Sequence, residues 1–384
     1  MSVVLSPEQR EIVATVREFV EREIIPVAPR LEHDDIFPDE IVERMKQLGF
    51  FGFAIPERYG GAGLDYVTYA LVVEEISRGW MSVSGILNTH FIVAYLLATV
   101  GTEEQRRRFL PPMATGAIRA GFSMSEPGCG SDVQAVQTRA RRDGDAYVID
   151  GTKMWATNGE RAQLVATLVR TDPDPAARHR GLSCILCEKG PGFRAGRAIE
   201  KLGYKGVETT ELVFEGNRQP VANLLGGTEG QGFPQMMAAI EVGRINVAAR
   251  GVGVARAAFE HAIRYAQERQ TFGQPIAQHQ AIQFKLADMA TKIEAARLLT
   301  LRAAEQKDRG ERADVEAGMA KLFATEACHE VVLEAMRIFG GYGYSKEYPV
   351  ERLYRDAPLL LIGEGTNEIQ RLVIARGLLQ RYAI

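Results

Sequence analysis

A single carboxylate stands between two glycines in Gly363-Glu364-Gly365, inside the run Ile362-Gly-Glu-Gly-Thr366. With no side chain on either neighbour, the carboxylate can approach a ligand closely while its backbone N–H stays free to donate. Such a group suits a general base that removes a proton beside a carbonyl. The same tripeptide also occurs in ordinary turns, so its meaning depends on the rest of the chain.

Other chemistries find little support. Cys184 and Cys187 form a C-x-x-C inside Leu182-Ser-Cys-Ile-Leu-Cys-Glu188, which reads as a strand. Residues three apart on a strand face opposite sides, so neither a metal site nor a disulfide is expected from them. The histidines at 33, 90, 179, 261, 279 and 329 include no H-x-x-H pair, and no metal is expected. Gly251-Val-Gly253 lacks the third glycine of a dinucleotide fingerprint and lies in a helical pattern, where it reads as a packing contact. No Gly-Lys dipeptide exists, which removes the phosphate loop of nucleotide hydrolases.

The elements that must position Glu364 can be read from periodicity. At 384 residues the chain can form two or three packed units. Its 46 basic and 49 acidic residues give no strong field toward nucleic acid or an anionic membrane. Charges at Glu8, Arg10 and Glu11 argue against a signal peptide. The uncharged run 79–102 carries Ser82, Ser84, Asn88, Thr89 and His90, and reads as a buried helix rather than a membrane span. The expected location is the cytoplasm.

Ser6-Pro7-Glu8-Gln9 predicts a helix start with a capping box. Further helices are expected near 38–48, 67–78, 86–100 and 103–113, making residues 1–118 a helical domain. Short apolar runs at 146–149, 164–169, 182–187 and 210–214 alternate with turn residues, so 119–228 reads as a small antiparallel β-domain. Helices near 233–268, 280–308, 312–339 and 366–382 predict a C-terminal four-helix bundle over 229–384. The fold class is α+β: helical, then β, then helical.

Five separated motifs, in order, carry a resemblance. Phe122-Ser-Met-Ser-Glu-Pro-Gly-Cys-Gly-Ser-Asp132, Met154-Trp-Ala-Thr-Asn158, Arg269-Gln-Thr-Phe-Gly273, Phe339-Gly-Gly-Tyr-Gly343 and Glu364-Gly-Thr-Asn-Glu-Ile-Gln370 resemble those of the acyl-CoA dehydrogenases. The resemblance spans nearly the whole chain. It implies FAD bound between subunits of a homotetramer (a dimer of dimers), an acyl-CoA substrate dehydrogenated to the trans-2-enoyl-CoA, and electron transfer flavoprotein as the electron acceptor.

Carried over residue by residue, the resemblance makes Glu364 the base that takes the α-proton. Phe122, Met124, Ser125, Ser131, Trp155 and Thr157 would face the flavin, with Ser131 also touching the CoA portion. Arg269, Thr271, Phe272, His279, Gln280, Arg337, Gly340 and Gly341 would reach the neighbouring subunit's FAD. Thr366 and Glu368 would contact the cofactor near a helix start, and Thr366 is also a plausible N-cap. Glu241, Arg244 and Gly365 would line the substrate path.

The chain departs from the family pattern at several positions. A second base position used by some members falls on Gly243, which has no side chain to act with. Gly363 replaces an aromatic residue, which predicts a wider acyl cavity and a branched, cyclic or aromatic group. Arg337 stands where many relatives carry Gln. Ser84 and Asn88 fall near the pocket floor and point to a short or functionalised acyl chain. An acyl-CoA oxidase or flavin monooxygenase on the same scaffold is the alternative enzyme, and a non-catalytic flavin-binding scaffold is the other.

Overall fold

The computed structural model describes residues 5–384. Its first helix, α1 (Pro7–Phe19), starts as the sequence predicts. Ser6 Oγ accepts from the Gln9 N–H at 3.1 Å, and the Gln9 side chain accepts from the Ser6 N–H. A π-helical turn at Val20–Ile24 leads into α2 (Ala28–His33) and α3 (Asp39–Gln47). Helix α4 (Tyr66–Gly79) is buried along most of its length. It is followed by α5 (Met81–Val100) and by α6 (Glu103–Ala114), which has its own capping box at Thr102 and Gln105. Helix α5 is long and apolar enough to cross a bilayer, but here it lies inside the protein.

Residues 120–220 form a seven-stranded sheet. Its strands are β1 (Ala120–Ser123), β2 (Arg139–Asp143), β3 (Ala146–Thr157), β4 (Leu164–Arg170), β5 (Leu182–Glu188), β6 (Phe193–Ala198) and β7 (Thr209–Pro220). The long β3–β7 ladder and the β4–β5 pair are antiparallel, whereas β1 runs parallel to β4, and β2 meets β4 in parallel at one register pair. The sheet is therefore mixed, not purely antiparallel. The chain returns to β4 through loops that flank the first motif, and a parallel pairing leaves no local turn signal in the sequence. Cys184 packs with Leu182 and Leu186 on one side of β5, and Cys187 with Ile185 and Val165 on the other. Both are free and buried.

Two polar contacts fix the sheet to α5. Buried His90 accepts from the Ala120 N–H through Nδ1 at 3.3 Å and donates from Nε2 to the Phe51 carbonyl at 3.1 Å. Burial pushes its pKa down to about 4, so the ring is neutral and can hold this donor–acceptor pattern. Asn158 Nδ2 donates to the Ile86 carbonyl and the Thr89 hydroxyl, tying the end of β3 to the same helix.

The last third is built around α7 (Gly232–Glu268), with α8 (Gln280–Asp308), α9 (Asp314–Phe339), α10 (Val350–Ile362) and α11 (Asn367–Arg381). A small hairpin of β8 (Gln270–Thr271) and β9 (Gln274–Pro275) follows α7. Gly251 and Gly253 allow close helix crossings. A Cβ on Gly253 would lie 2.3 Å from the Glu74 carbonyl oxygen of α4, and one on Gly251 would lie 3.0 Å from the Ala324 carbonyl of α9. Helix α10 is absent from the periodicity reading. Pro358 lies inside it and Pro349 just before it, and these breakers mask an amphipathic helix whose inner face is partly charged.

Candidate active site

Glu364 sits in the short connection between α10 and α11. Helix α10 closes with the Gly363 N–H bonded to the Leu359 carbonyl, and α11 opens with Thr366 capping the Ile369 N–H. Between them Glu364 takes φ 56° and Gly365 φ 85°. A non-glycine residue held in the left-handed region costs about 1–3 kcal/mol and persists only where its surroundings enforce it. Two side chains do so here. Buried Lys321 of α9 donates to the Leu361 carbonyl (3.2 Å), the Gly365 carbonyl (3.0 Å) and Asn367 Oδ1 (2.7 Å), bracketing Glu364 on both sides. Gln370 Nε2 donates to the Gly365 carbonyl at 2.9 Å and reaches the Glu364 carbonyl at 3.4 Å. Among the described residues nothing accepts from the Glu364 N–H.

The carboxylate itself points into the protein. A Cβ built on Gly243 would lie 2.0 Å from Glu364 Oε2, so the missing side chain on α7 is the space the carboxylate occupies. The Asn88 side-chain amide of α5 donates to Oε1, and Arg250 Nη2 lies 3.3 Å from the same oxygen. Oε2 has no partner. Burial raises the pKa of Glu364, and Arg250 and Asn88 pull it back down. A buried, partly compensated carboxylate of this kind is a stronger base than one in water.

Tyr204, at φ 55° in the loop between β6 and β7, closes one side. Its N–H donates to Asp356 of α10 at 2.6 Å, and its hydroxyl lies beside Thr157 and Arg250. Gly85 of α5 makes room for that hydroxyl, which would lie 1.6 Å from a Cβ there. Glu364, Arg250, Tyr204 and Thr157 thus form one contiguous group, linking the C-terminal helices to the end of β3.

The other expected site residues fall into separate groups. The Met154 N–H of β3 donates to the Ser125 carbonyl, and buried Lys153 donates to the Met124 carbonyl and Glu126, so the first two motifs support one another. Phe122 lies on β1, and Ser131 is exposed in the loop after it. Trp155, which a strand position would ordinarily bury, is 60% exposed at φ 62°, in a bulge of the β3–β7 ladder. No Cβ on Gly128 or Gly130 would meet anything within 4 Å.

Arg269, Thr271, Gly340 and Gly341 line a cavity of about 600 Å³ with Tyr265, Phe339 and Tyr342. His279 Nε2 lies 3.3 Å from the Thr271 hydroxyl, Gln280 begins α8, and Phe272 is almost wholly exposed. Arg337 pairs with Glu334 at the end of α9. Among the described residues no hydrogen bond or shared cavity wall joins this group to Glu364. Thr366 caps α11 and shares a smaller cavity with Glu368 and His329. Glu241 is bonded to Lys307 at 2.7 Å, and Arg244 lies 3.9 Å from Asp314 with two of its nitrogens unpartnered.

Sequence reasoning passed over Arg250, Lys321 and Tyr204, and placed Asn88 on the pocket floor rather than on the carboxylate. One signal for Arg250 was present. It lies seven residues after Gly243, two helical turns along the same face, as a lone charge in the run Val247-Ala-Ala-Arg-Gly-Val252.

Comparison with known proteins gives this arrangement its context. Three family descriptions match in order: "Acyl-CoA dehydrogenase, N-terminal domain" over residues 6–117, "middle domain" over 121–216 and "C-terminal domain" over 230–379. An acyl-CoA dehydrogenase of Bacillus subtilis is 46% identical over 377 residues, covering 98% of this chain and 99% of the relative. The short-chain specific acyl-CoA dehydrogenase of Bos taurus mitochondria is 43% identical over 384 residues, covering 99% of this chain and 92% of its own length. The solved butyryl-CoA dehydrogenase of Megasphaera elsdenii superposes with a TM-score of 0.96 at 37% identity, covering 99% of this chain and all of that one. With its helical, β and helical domains matched in sequence and in space, this chain belongs to the acyl-CoA dehydrogenase family of oxidoreductases.

Proposed function

We propose that the protein dehydrogenates a short acyl-CoA between Cα and Cβ, with Glu364 as the base that takes the α-proton. The observation that carries this reading is the inward-pointing, largely buried Glu364 carboxylate, raised in pKa and held at a strained φ by Lys321 and Gln370. The short-chain enzyme and the butyryl-CoA dehydrogenase among its relatives support a short acyl group.

The residues fit FAD. Trp155 presents an exposed ring beside Thr157, and Gly128, Gly130, Gly340 and Gly341 leave open space where a Cβ would intrude. Phe122, Met124, Ser125, Ser131, Trp155, Thr157, Thr366 and Glu368 would hold one flavin. Arg269, Thr271, Phe272, His279, Gln280, Arg337, Gly340 and Gly341 would hold that of a neighbouring copy, which suits a group set apart from Glu364 within one chain. FAD, when bound, supplies the acceptor for the hydride leaving Cβ.

The protein's own groups do the remainder. Glu364 Oε2, which has no hydrogen-bond partner, is the oxygen free to receive the α-proton. The uncommitted Glu364 N–H is positioned to donate to the thioester oxygen, where charge develops as the proton leaves. Gly243 cannot compete as a base and gives the carboxylate its space. Electron transfer flavoprotein as acceptor and a homotetramer complete the proposal, in line with the family.

The test is an anaerobic titration of the purified flavoprotein with acyl-CoAs of several classes, following flavin absorbance. Bleaching by short chains is the expected result. A bound flavin that no acyl-CoA bleaches would overturn the dehydrogenase reading, and rapid reoxidation by oxygen after bleaching would favour the oxidase.

A further inference from the structure

Helices α5 and α7 run antiparallel on either side of Glu364, and their contacts rank the site by depth. At one end Lys307 donates to Glu241 of α7 at 2.7 Å and reaches the Tyr95 hydroxyl of α5 at 3.2 Å. Glu364 lies in the middle, in the space left by Gly243 and on the Asn88 amide. At the other end stand Gly85, one turn back along α5 from Asn88, and Arg250, two turns on along α7 from Gly243. The Tyr204 hydroxyl occupies the notch that Gly85 leaves, beside Arg250 and Thr157. Glu241 and Arg244 belong to the expected substrate path. An acyl chain that enters past them and presents Cα to Glu364 therefore meets the Tyr204 ring next.

That ring is held rigidly. Tyr204 is 5% exposed at φ 55°, and its N–H is bonded at 2.6 Å to Asp356, itself buried. The loop that carries it is pinned on both flanks. Gly203 lies so close to the Arg355 carbonyl that a Cβ would not fit, and the Gly206 N–H donates to Asp35 at 2.8 Å. Lys201 closes the loop on itself through the Val207 carbonyl at 2.9 Å. A wall sorts ligands by shape only if it does not yield to the wrong one, and a strained residue under this many restraints meets that condition.

We infer that Tyr204 is the specificity-determining residue of the acyl cavity, closing it a few carbons beyond the base. This inference rests on the dehydrogenase reading above and names the group that keeps its substrate short. Asn88 and Gly85 are separated by about 4.5 Å of helical rise, which leaves room for about three carbons beyond Cα. The ring acts by its bulk, and the hydroxyl, beside Thr157 and Arg250, seats it in the notch. A longer chain has to displace the ring against Asp356 and the backbone of α5. A residue that only packed the core would differ in one respect: its loss would slow every acyl-CoA alike.

Anaerobic flavin bleaching of the holoenzyme, giving kcat/KM for butyryl-, hexanoyl- and octanoyl-CoA, tests this. The wild type should fall by about tenfold or more from butyryl to octanoyl. Tyr204→Ala should raise the octanoyl-to-butyryl ratio by about tenfold or more, and Tyr204→Leu, which leaves a smaller void and so folds more readily, should raise it by less. Tyr204→Phe keeps the ring and should keep the wild-type ratio, whatever it does to the rate. An unchanged ratio in the alanine and leucine variants would overturn the inference. So would a wild type that uses octanoyl-CoA as well as butyryl-CoA, and both results leave the dehydrogenase reading intact. No bleaching by any acyl-CoA would overturn both.

Discussion

At the scale of single residues, the site is a largely buried carboxylate balanced between desolvation and two donors. Glu364→Gln keeps the shape and the Asn88 contact, so it should fold, retain flavin and lose about 10²–10⁴-fold in acyl-CoA-dependent bleaching. Because burial raises the pKa of Glu364 above the ordinary 4.5, the wild-type rate should climb with pH through a value higher than that. Asn88→Ala and Arg250→Gln each remove a group that favours the charged form. Both should move the acid limb further up, as a pH profile of flavin reduction would show. Stability carries the matching sign. A raised carboxylate contributes stability below its unfolded value, and this is lost as pH rises through the folded value. The Tm difference between Glu364→Gln and wild type should therefore shift in the variant's favour as pH rises through the folded value of Glu364. Gly243→Ala would push a methyl into Oε2, and a displacement near 1 Å should cost about 100-fold in kcat with folding unchanged by circular dichroism.

Helices and loops decide whether the carboxylate stays where it acts. The α10–α11 connection has no internal ladder, so its left-handed residues depend on α9 through Lys321. Burial lowers the Lys321 pKa to about 8. A neutral amine has two N–H donors for these three acceptors, so one bond is lost as pH rises past that value. Lys321→Met should keep flavin bound but slow bleaching about 10-fold or more, chiefly in kcat, and abolish any alkaline limb near pH 8. Restoration by Lys321→Arg would count against this, because a planar guanidinium cannot occupy the same three-way junction. Elsewhere Asp356 fastens Tyr204, which ties α10 to both Glu364 and the wall beside it.

For the whole molecule, the proposed function makes the residues set apart around Gly340 and Gly341 part of a neighbouring copy's site. Arg269→Glu and Glu364→Gln would each inactivate their own homo-oligomer, by different routes. Co-expressed, the two chains should give mixed oligomers in which some sites carry neither lesion. Partial recovery of bleaching, measured against either chain alone, is the expected result. No recovery in oligomers shown by mass spectrometry to be mixed would place all flavin contacts within one chain.

Much of this was legible in the residues. Ser6 and Gln9 announced α1, the spacing of Cys184 and Cys187 forbade their meeting, and the uncharged run around Asn88 foretold a buried helix. Those are local properties, fixed by period and by capping chemistry. The resemblance carried by five motifs pointed to Glu364 as the base, and Gly243 has no side chain to act with. The sequence hid α10, because prolines interrupt its pattern, and the parallel pairing of β1 with β4, because such pairing has no local signal. It also hid Arg250, Lys321 and Tyr204. Each acts on Glu364 from another part of the chain, more than forty positions away, and only packing of α5, α7, α9 and the β6–β7 loop around one carboxylate makes them part of a site. Sequence alone singled out Glu364 as the candidate base; the tertiary structure decided what surrounds it, since burial and counter-charge exist only once the elements meet.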